Sequence, residues 1–228
     1  MHTSSSNFIF LDIETLPAED DNPIWKNLSE GITQNPGEST EDFAERFRTI
    51  QKNTAMLPSM GRVWMAGVAF RNEEPIIFSG DGSPAAEKEV LQSLTSYLKS
   101  YSTPWLVGYN VAGFDIPFLQ VRALHHNMPA LAKCFGKVSD KPWDQKVIDL
   151  MKVFPRTGAD KSAYEWGLKG VGKMDTVCQV LGIQRQTGVM GPEVADAYLR
   201  RDVAGVGEHL RQDIIQTREI FKKVYTIL

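Results

Sequence analysis

Residues 8–17 read Phe8-Ile9-Phe10-Leu11-Asp12-Ile13-Glu14-Thr15-Leu16-Pro17. An apolar run of this length is typical of a buried β-strand, and the two-residue period of a strand places Asp12 and Glu14 on the same face. Two buried like charges are costly unless a cation lies between them, and oxygen ligands select a hard ion such as Mg²⁺ or Mn²⁺. The stretch therefore predicts half of a metal site. The simpler alternative is a strand end with two solvated acids.

The length and charge of the chain favour one α/β domain over residues 1–228. The chain has 228 residues, of which 23% are charged, and a formal net charge of −3. This length fits one large domain better than two small ones. The charge balance is unlike that of a protein that coats duplex nucleic acid nonspecifically, so contact with nucleic acid is expected to be local, at an end.

The cysteines and the N-terminus predict a cytoplasmic protein. Cys134 and Cys178 form neither a metal-ligand pair in sequence nor a disulfide framework, which fits a reducing compartment and two small buried hydrophobes. Residues 1–6 lack the apolar core of a signal peptide, and no later run is long enough to span a bilayer. We therefore expect a soluble protein without a membrane partner.

The polar segment 18–58 is expected to be an insertion. Ser39-Thr40-Glu41-Asp42 predicts the start of a helix, and Phe43, Phe47 and Ile50 follow at helical spacing. The segment therefore predicts one amphipathic helix packed by one face. Two interpretations stay open, a lid over the metal site or a decoration without a role in function.

Hydrophobic patterns predict the remaining elements. Strands are expected at 61–70, 75–79, 103–109 and 146–150, the first two forming a hairpin, so that the first three strands of the chain are antiparallel. Helices are expected from Ser83-Pro84, from Asp115 to about 127, over 174–182, over 191–199 and from about 202 to 225.

A third acid follows the strand at 103–109. The chain turns through Gly113 and begins a helix with Asp115 near its start, just beyond the edge of the sheet, where ligands of open α/β sheets bind. Asp115 alone is more typical of a helix cap. Its combination with Asp12 and Glu14 favours a ligand.

The last helix supplies a fourth acid. Val206, Leu210, Ile214 and Phe221 form its apolar stripe, and His209 and Asp213, four residues apart, share a neighbouring face. These two side chains can serve one site. The alternatives are a surface histidine and a salt bridge of Asp213 with a nearby arginine.

A basic segment lies between residues 155 and 185. Its cationic side chains outnumber the nearby acids and are expected either to steer a phosphate backbone or to form a solvated loop. They are Arg156, Lys161, Lys169, Lys173 and Arg185.

Together the motifs resemble the DEDD superfamily of 3′-to-5′ exonucleases, most closely the stand-alone relatives of the proofreading domain of family B DNA polymerases. The first motif is matched by residues 10–15, the second by 108–115 and the third by the segment ending at Asp213. In that superfamily the third motif carries a Tyr separated from the Asp by three residues, or a His separated by four. His209 has the tyrosine-type spacing, so the subclass stays open.

The resemblance implies a ribonuclease H-like mixed five-stranded sheet flanked by helices. It also implies, and the number of carboxylates supports, hydrolysis of a phosphodiester with two Mg²⁺ or Mn²⁺ ions. Asp12, Glu14, Asp115 and Asp213 would hold the metals, and His209 would orient or deprotonate the attacking water. Substrate contacts are expected from Thr15, Leu16, Asn110 and Phe114, although Phe114 fits a core position equally well.

The function expected is therefore trimming of single-stranded 3′ ends to nucleoside monophosphates, with DNA favoured over RNA. One alternative is a catalytically weak or inactive nucleic-acid-binding module of the same fold, which the His209 spacing would explain. Another is an RNA-trimming exoribonuclease, or a metal phosphoesterase acting on a small nucleotide or short RNA. The sequence identifies no protein partner.

Overall fold

The computed structural model describes residues 7–135, 146–153, 172–184 and 193–225. A five-stranded mixed sheet lies at its centre, in the order β3-β2-β1-β4-β5. The strands are β1 (Phe8–Leu16), β2 (Arg62–Phe70), β3 (Ile76–Ser79), β4 (Trp105–Gly108) and β5 (Val147–Asp149). β1, β2 and β3 pair antiparallel, whereas β4 and β5 extend the sheet in parallel. The predicted fold class and strand pairing are confirmed.

Helices cover both faces of the sheet. They are α1 (Pro23–Ser29), α2 (Thr40–Asn53), α3 (Pro84–Lys99), α4 (Asp115–His125), α5 (Pro129–Cys134), α6 (Met174–Val180), α7 (Val194–Leu199) and α8 (Val203–Tyr225). No helix in these ranges is both long enough and apolar enough to cross a bilayer. Both cysteines are free thiols; Cys178 is buried as expected, whereas Cys134 is only partly buried.

Alternation along β1 divides the core into two layers. Ile9, Leu11 and Ile13 pack with α3 and α4 on one face. Phe10 packs on the other face, against residues of α6 and α8. Asp12 and Glu14 occupy the same face as Phe10, since side chains two residues apart in a strand point the same way. The two acids therefore lie under α8.

A glycine lets α8 approach the sheet closely. Gly67 of β2 is the antiparallel partner of Asp12. A Cβ atom at Gly67 would lie 2.9 Å from Cγ of Leu210 and closer still to the side chain of Ile214. Such contacts are too short, so a larger residue would push α8 outward. Gly67 therefore keeps the helix near the two acids.

β1 and β4 are paired over only part of their length. Phe8, Ile9 and Phe10 pair with Trp105, Leu106 and Val107, and β1 then continues without this neighbour. Open α/β sheets bind ligands where adjacent strands separate at their carboxyl ends. The separation of β1 from β4 exposes that edge of β1 beside Asp12.

The insertion at 18–58 is more structured than predicted. It contains α1 and α2 and ends in a 3₁₀ turn, Thr54–Met56, whereas the sequence predicted one helix. The start of α2 agrees with the prediction, because the Ser39 hydroxyl accepts a hydrogen bond from the Asp42 N–H. Helix α1 was missed because it is short; Asn22 caps it, and its buried Trp25 packs against Phe47 at a ring-centroid distance of 5.4 Å.

Other boundaries differ by a few residues. β4 begins at Trp105 because Thr103 has a φ of 46°, outside the range of a strand. β5 ends at Asp149, where a 3₁₀ turn begins. α6 ends before Gly182, whose φ of 65° agrees with its expected role at a helix end. Of the basic segment only Lys173 is described; Arg156, Lys161, Lys169 and Arg185 lie outside the described residues, as do the first residues of the helix predicted over 191–199.

A buried ion-pair network joins α3, α4 and β2. The Glu87 carboxylate of α3, which has no exposed surface, accepts hydrogen bonds from Nε and Nη2 of Arg122 at 2.8 and 2.6 Å. It also accepts from the Val63 N–H at 2.8 Å, and His126 Nε2 lies 2.7 Å from it. Burial alone raises the pKa of Glu87, but these partners outweigh burial and hold its pKa below the ordinary value. The network fixes α4 to α3 and β2.

Candidate active site

Asp12 and Glu14 lie on the α8 face of β1, as the strand period predicts. Glu14 is 8% exposed, and Asp12 is partly buried. A shift in the β1–β2 register follows immediately, between Glu14 and Thr15. Irregularities of this kind redirect side chains at the end of a strand. β1 therefore places both carboxylates at one edge of the sheet.

Asp115 joins this pair from α4. It is the first residue of α4, one position after Phe114, which holds the cap position and makes no side-chain cap bond. Instead, Oδ1 of Asp115 accepts a hydrogen bond of 3.0 Å from the Ile13 N–H of β1. Its side chain is 2% exposed and hydrogen-bonded to the carboxyl of Asp12. The structure thus brings the second motif against the first.

His209 and Asp213 complete the cluster from α8. His209 Nε2 lies 3.4 Å from Oε1 of Glu14 and 3.5 Å from Oδ2 of Asp213. His209 is 9% exposed, so it is not a surface histidine. All five residues predicted to be catalytic therefore meet at one place.

The cluster is electrostatically strained. Burial raises the pKa of Asp12 well above its ordinary value, and the charges of Asp115, Asp213 and Glu14 raise it further. Burial likewise raises the pKa of Glu14, with smaller contributions from Asp213 and Asp115. Burial raises the pKa of Asp115 to about 7, against the lowering effect of its backbone hydrogen bonds. Carboxyl groups with such pKa values hold protons near neutral pH unless a cation replaces them.

The donor set fits a hard divalent cation by its chemistry. Four carboxylates offer only oxygen ligands, and each would lose the repulsion of its neighbours if a cation bound among them. In the described part of the chain, no three His, Cys, Asp or Glu side chains are already positioned to hold a metal ion. In this arrangement Asp12 lies next to Asp115, and His209 lies between Glu14 and Asp213.

A fifth acid, Asp149, supports the second motif. This residue at the end of β5 is 7% exposed, and its carboxylate accepts hydrogen bonds from the N–H groups of Asn110, Ala112 and Met151. Its charge also raises the pKa of Asp115. Sequence reasoning missed it. The available signal was an acid at the end of a strand parallel to β4, because such strand ends meet at one edge of the sheet.

Two residues expected to contact the substrate, Thr15 and Leu16, instead have side chains that contact other parts of the protein. The Thr15 hydroxyl donates a hydrogen bond of 2.8 Å to the carbonyl of Ala55 in the insertion. Leu16 has no exposed surface and packs with Trp64, Val206 and other residues of the α7 and α8 side. Leu16 is therefore a core residue here, and its side chain presents no surface to a base.

The other two expected contacts lie beside Asp115. Asn110 is exposed, with a φ of 62° that bends the chain between β4 and α4. Phe114 is half-buried, and its ring lies 5.5 Å from that of Phe118. Phe114 thus makes the core contact that the sequence allowed, and it remains partly exposed.

Comparison with known proteins gives one consistent result. Residues 63–227 match the family described as predicted 3′-5′ exonucleases related to the exonuclease domain of PolB. The match includes Asp115, His209 and Asp213, whereas Asp12 and Glu14 precede it. A DNA polymerase of Archaeoglobus fulgidus is 24% identical over 174 residues, which cover 73% of this chain and 20% of that protein.

The fold is also similar to that of a much larger enzyme. The structure of the family B DNA polymerase from the hyperthermophilic archaeon Pyrobaculum calidifontis matches with a TM-score of 0.58 and 16% identity, over 98% of this chain and 24% of the polymerase. The chain thus spans about a fifth to a quarter of the length of these two polymerases. With a family match over most of its length, the chain belongs to the family of predicted 3′-5′ exonucleases related to the exonuclease domain of PolB.

Proposed function

We propose that the protein is a metal-dependent 3′-to-5′ exonuclease that hydrolyses single-stranded DNA ends to nucleoside monophosphates. One observation carries the proposal: acids from β1, α4 and α8 meet, and burial and mutual repulsion raise the pKa of Asp12, Glu14 and Asp115. Buried groups with strongly perturbed pKa values are typical of catalytic sites. The proposal takes residues 1–228 as one exonuclease domain with an insertion at 18–58, acting in the cytoplasm, where its free thiols stay reduced.

The carboxylates would hold two Mg²⁺ or Mn²⁺ ions. When bound, such ions neutralise charge on the reacting phosphate and make a coordinated water acidic enough to lose its proton near neutral pH. Asp12, Glu14, Asp115 and Asp213 are the ligands proposed. The raised pKa values of Asp12, Glu14 and Asp115 mean that ion binding displaces protons from the cluster, so affinity for the metal rises with pH.

His209 is the proposed base for the attacking water. Its Nε2 atom points between Glu14 and Asp213, the position from which it could accept a proton from a water held by the same carboxylates. Glu14 and Asp213 would orient its ring. Asn110 and the exposed part of Phe114 are the proposed contacts to the 3′-terminal nucleotide, with the backbone of Thr15 beside them.

The test is incubation of purified protein with Mn²⁺ and a 5′-labelled single-stranded DNA oligonucleotide. We expect a ladder that shortens from the 3′ end, release of mononucleotides and complete inhibition by EDTA. Asp12→Asn should lower the rate by about three orders of magnitude, because it removes several kcal/mol of charge stabilisation. Glu89→Gln on the exposed face of α3 is the matched control and should leave the rate unchanged. Unchanged activity of Asp12→Asn would place the chemistry elsewhere.

A non-cleaving nucleic-acid-binding module is the second candidate. A His at the tyrosine-type spacing from Asp213, a combination that matches neither type in the superfamily, favours it. In that case the oligonucleotide would bind without release of nucleotides at any Mn²⁺ concentration. An RNA oligonucleotide of the same sequence, tested in parallel, separates the DNA-trimming from the RNA-trimming form of the leading proposal.

A further inference from the structure

The insertion returns to the sheet at the residues that follow Glu14 in β1. The carbonyl of Ala55 accepts the Thr15 hydroxyl, and the Thr54 hydroxyl accepts the Ala18 N–H, both at 2.8 Å. Gly61 closes the return so tightly that a Cβ atom there would lie 2.8 Å from the Thr54 carbonyl and 3.0 Å from that of Leu16. The turn 54–61 is therefore fixed against the residues that follow Glu14.

Two large apolar side chains of this turn face solvent. Met56 is 59% exposed and Leu57 is 46% exposed, although Thr54 and Met60 on either side of them are buried. Single exposed apolar residues are common on protein surfaces. Here two consecutive ones form an apolar edge on the turn that is hydrogen-bonded to Thr15, the residue after Glu14.

An apolar edge of this kind can bind the terminal base of a single-stranded 3′ end. Nucleotide bases have apolar faces, and proteins that bind single strands without reading sequence hold those faces against apolar or aromatic side chains. Leu16, the residue expected to do this, is enclosed in the core. Met56 and Leu57 are the large exposed apolar side chains that the described structure holds beside Thr15. A flexible thioether adapts to different partners, which suits a contact that must accept every base.

We infer that Met56 and Leu57 pack against the base of the 3′-terminal nucleotide, so that the insertion supplies the base contact of the exonuclease site. The inference rests on the proposed function and assigns a specificity role to a segment outside the shared motifs. It also predicts what the site prefers: a 3′ end that carries an unpaired base, whichever base that is.

The test changes the protein and the terminal base of the oligonucleotide separately and together. The double variant Met56→Ala/Leu57→Ala is compared with the wild-type protein on oligonucleotides that end in a normal or an abasic 3′ nucleotide. We expect the variant to raise KM for the normal end about 5- to 20-fold, in the lower part of the range typical of base stacking, and to leave the abasic end unaffected. Hydrolysis of bis(p-nitrophenyl) phosphate, which carries no base, should be equal in both proteins.

A control and a second readout keep the two proposals separate. Val121→Ala/Leu124→Ala removes two exposed apolar side chains from the outer face of α4 and should change none of these values. Fluorescence of a 3′-terminal 2-aminopurine in EDTA reports binding without cleavage, because the base loses its stacking on the neighbouring base. The rise in fluorescence on binding should weaken only in Met56→Ala/Leu57→Ala. A variant that keeps the wild-type preference for the normal end overturns the inference while the exonuclease stands. Binding without cleavage by the wild-type protein overturns the exonuclease, and the fluorescence still decides the base contact.

Discussion

Glu87 and the acid cluster are both buried carboxylates, but their surroundings move their pKa values in opposite directions. Glu87 is hydrogen-bonded by Arg122, His126 and a backbone N–H, and its pKa is lowered. Asp12, Glu14 and Asp115 lie among other acids, and their pKa values are raised. Glu87 has its counter-charge built into the fold. The cluster leaves that charge to be supplied by something that binds.

The largest effect is expected from neutralising Glu87, the buried carboxylate whose hydrogen-bond partners are part of the fold. Glu87→Gln leaves the Arg122 guanidinium buried without its counter-charge, and loss of one partner of a buried pair costs about 3–5 kcal/mol. Urea denaturation should show this decrease in the free energy of unfolding. The matched change Glu89→Gln, on the exposed face of the same helix, should alter it by less than about 0.5 kcal/mol. Equal effects of the two changes would mean that the network adds nothing to stability.

The next largest effect is a dependence of stability on pH. Its sign follows from the raised pKa of Asp115 and the lowered pKa of Glu87. The folded pKa of Asp115 is about 7, above the value of an unfolded aspartate, so its contribution to stability is fully present below about pH 4 and is lost as pH rises through 7. Glu87 acts the other way, because its lowered pKa makes its contribution disappear only under acidic conditions. The metal-free protein should therefore be less stable at pH 8 than at pH 5, by a few kcal/mol.

Thermal unfolding in EDTA between pH 5 and pH 8 measures this slope. Saturating Mn²⁺ should flatten or reverse it, because an ion that binds only the folded protein adds stability most where the carboxyl groups are ionised. Asp115→Asn keeps an oxygen for the Ile13 N–H but cannot ionise, so it should reduce the slope in EDTA. A wild-type protein that becomes more stable from pH 5 to pH 8 without metal would contradict the raised pKa values.

The smallest effect is expected from the histidine that lies between the acids. His209→Gln removes the proposed base but leaves the four carboxylates, so the rate of 3′ trimming should fall about 100-fold at neutral pH, the lower end of the range for general bases. Single-turnover rates at saturating Mn²⁺ measure this loss. A variant that keeps the wild-type rate would mean that another group accepts the proton, and His209 would then serve only to position Glu14 and Asp213.

Local patterns predicted much of this structure. The strand period alone placed Asp12 and Glu14 on one face, and helical spacing placed His209 beside Asp213. Contacts between distant segments were not predictable in this way. Glu87 is 35 residues from Arg122 and 24 from Val63 in sequence, and no local pattern marks an acid on α3 as paired. The burial of Leu16 was not predictable for the same reason. An apolar residue at a strand end can face substrate or core, and the position of α7 and α8 decides between the two.

The hydrogen bond from the Ile13 N–H to Asp115 has a consequence for how this site tolerates mutation. The spacing between the first two motifs is set by a main-chain atom, which every amino acid except proline provides. Side-chain replacements at position 13 can alter packing yet preserve the anchor point. Ile13→Pro is the single exchange there that would release Asp115 from β1, and with it the alignment of α4 against the two acids of the strand.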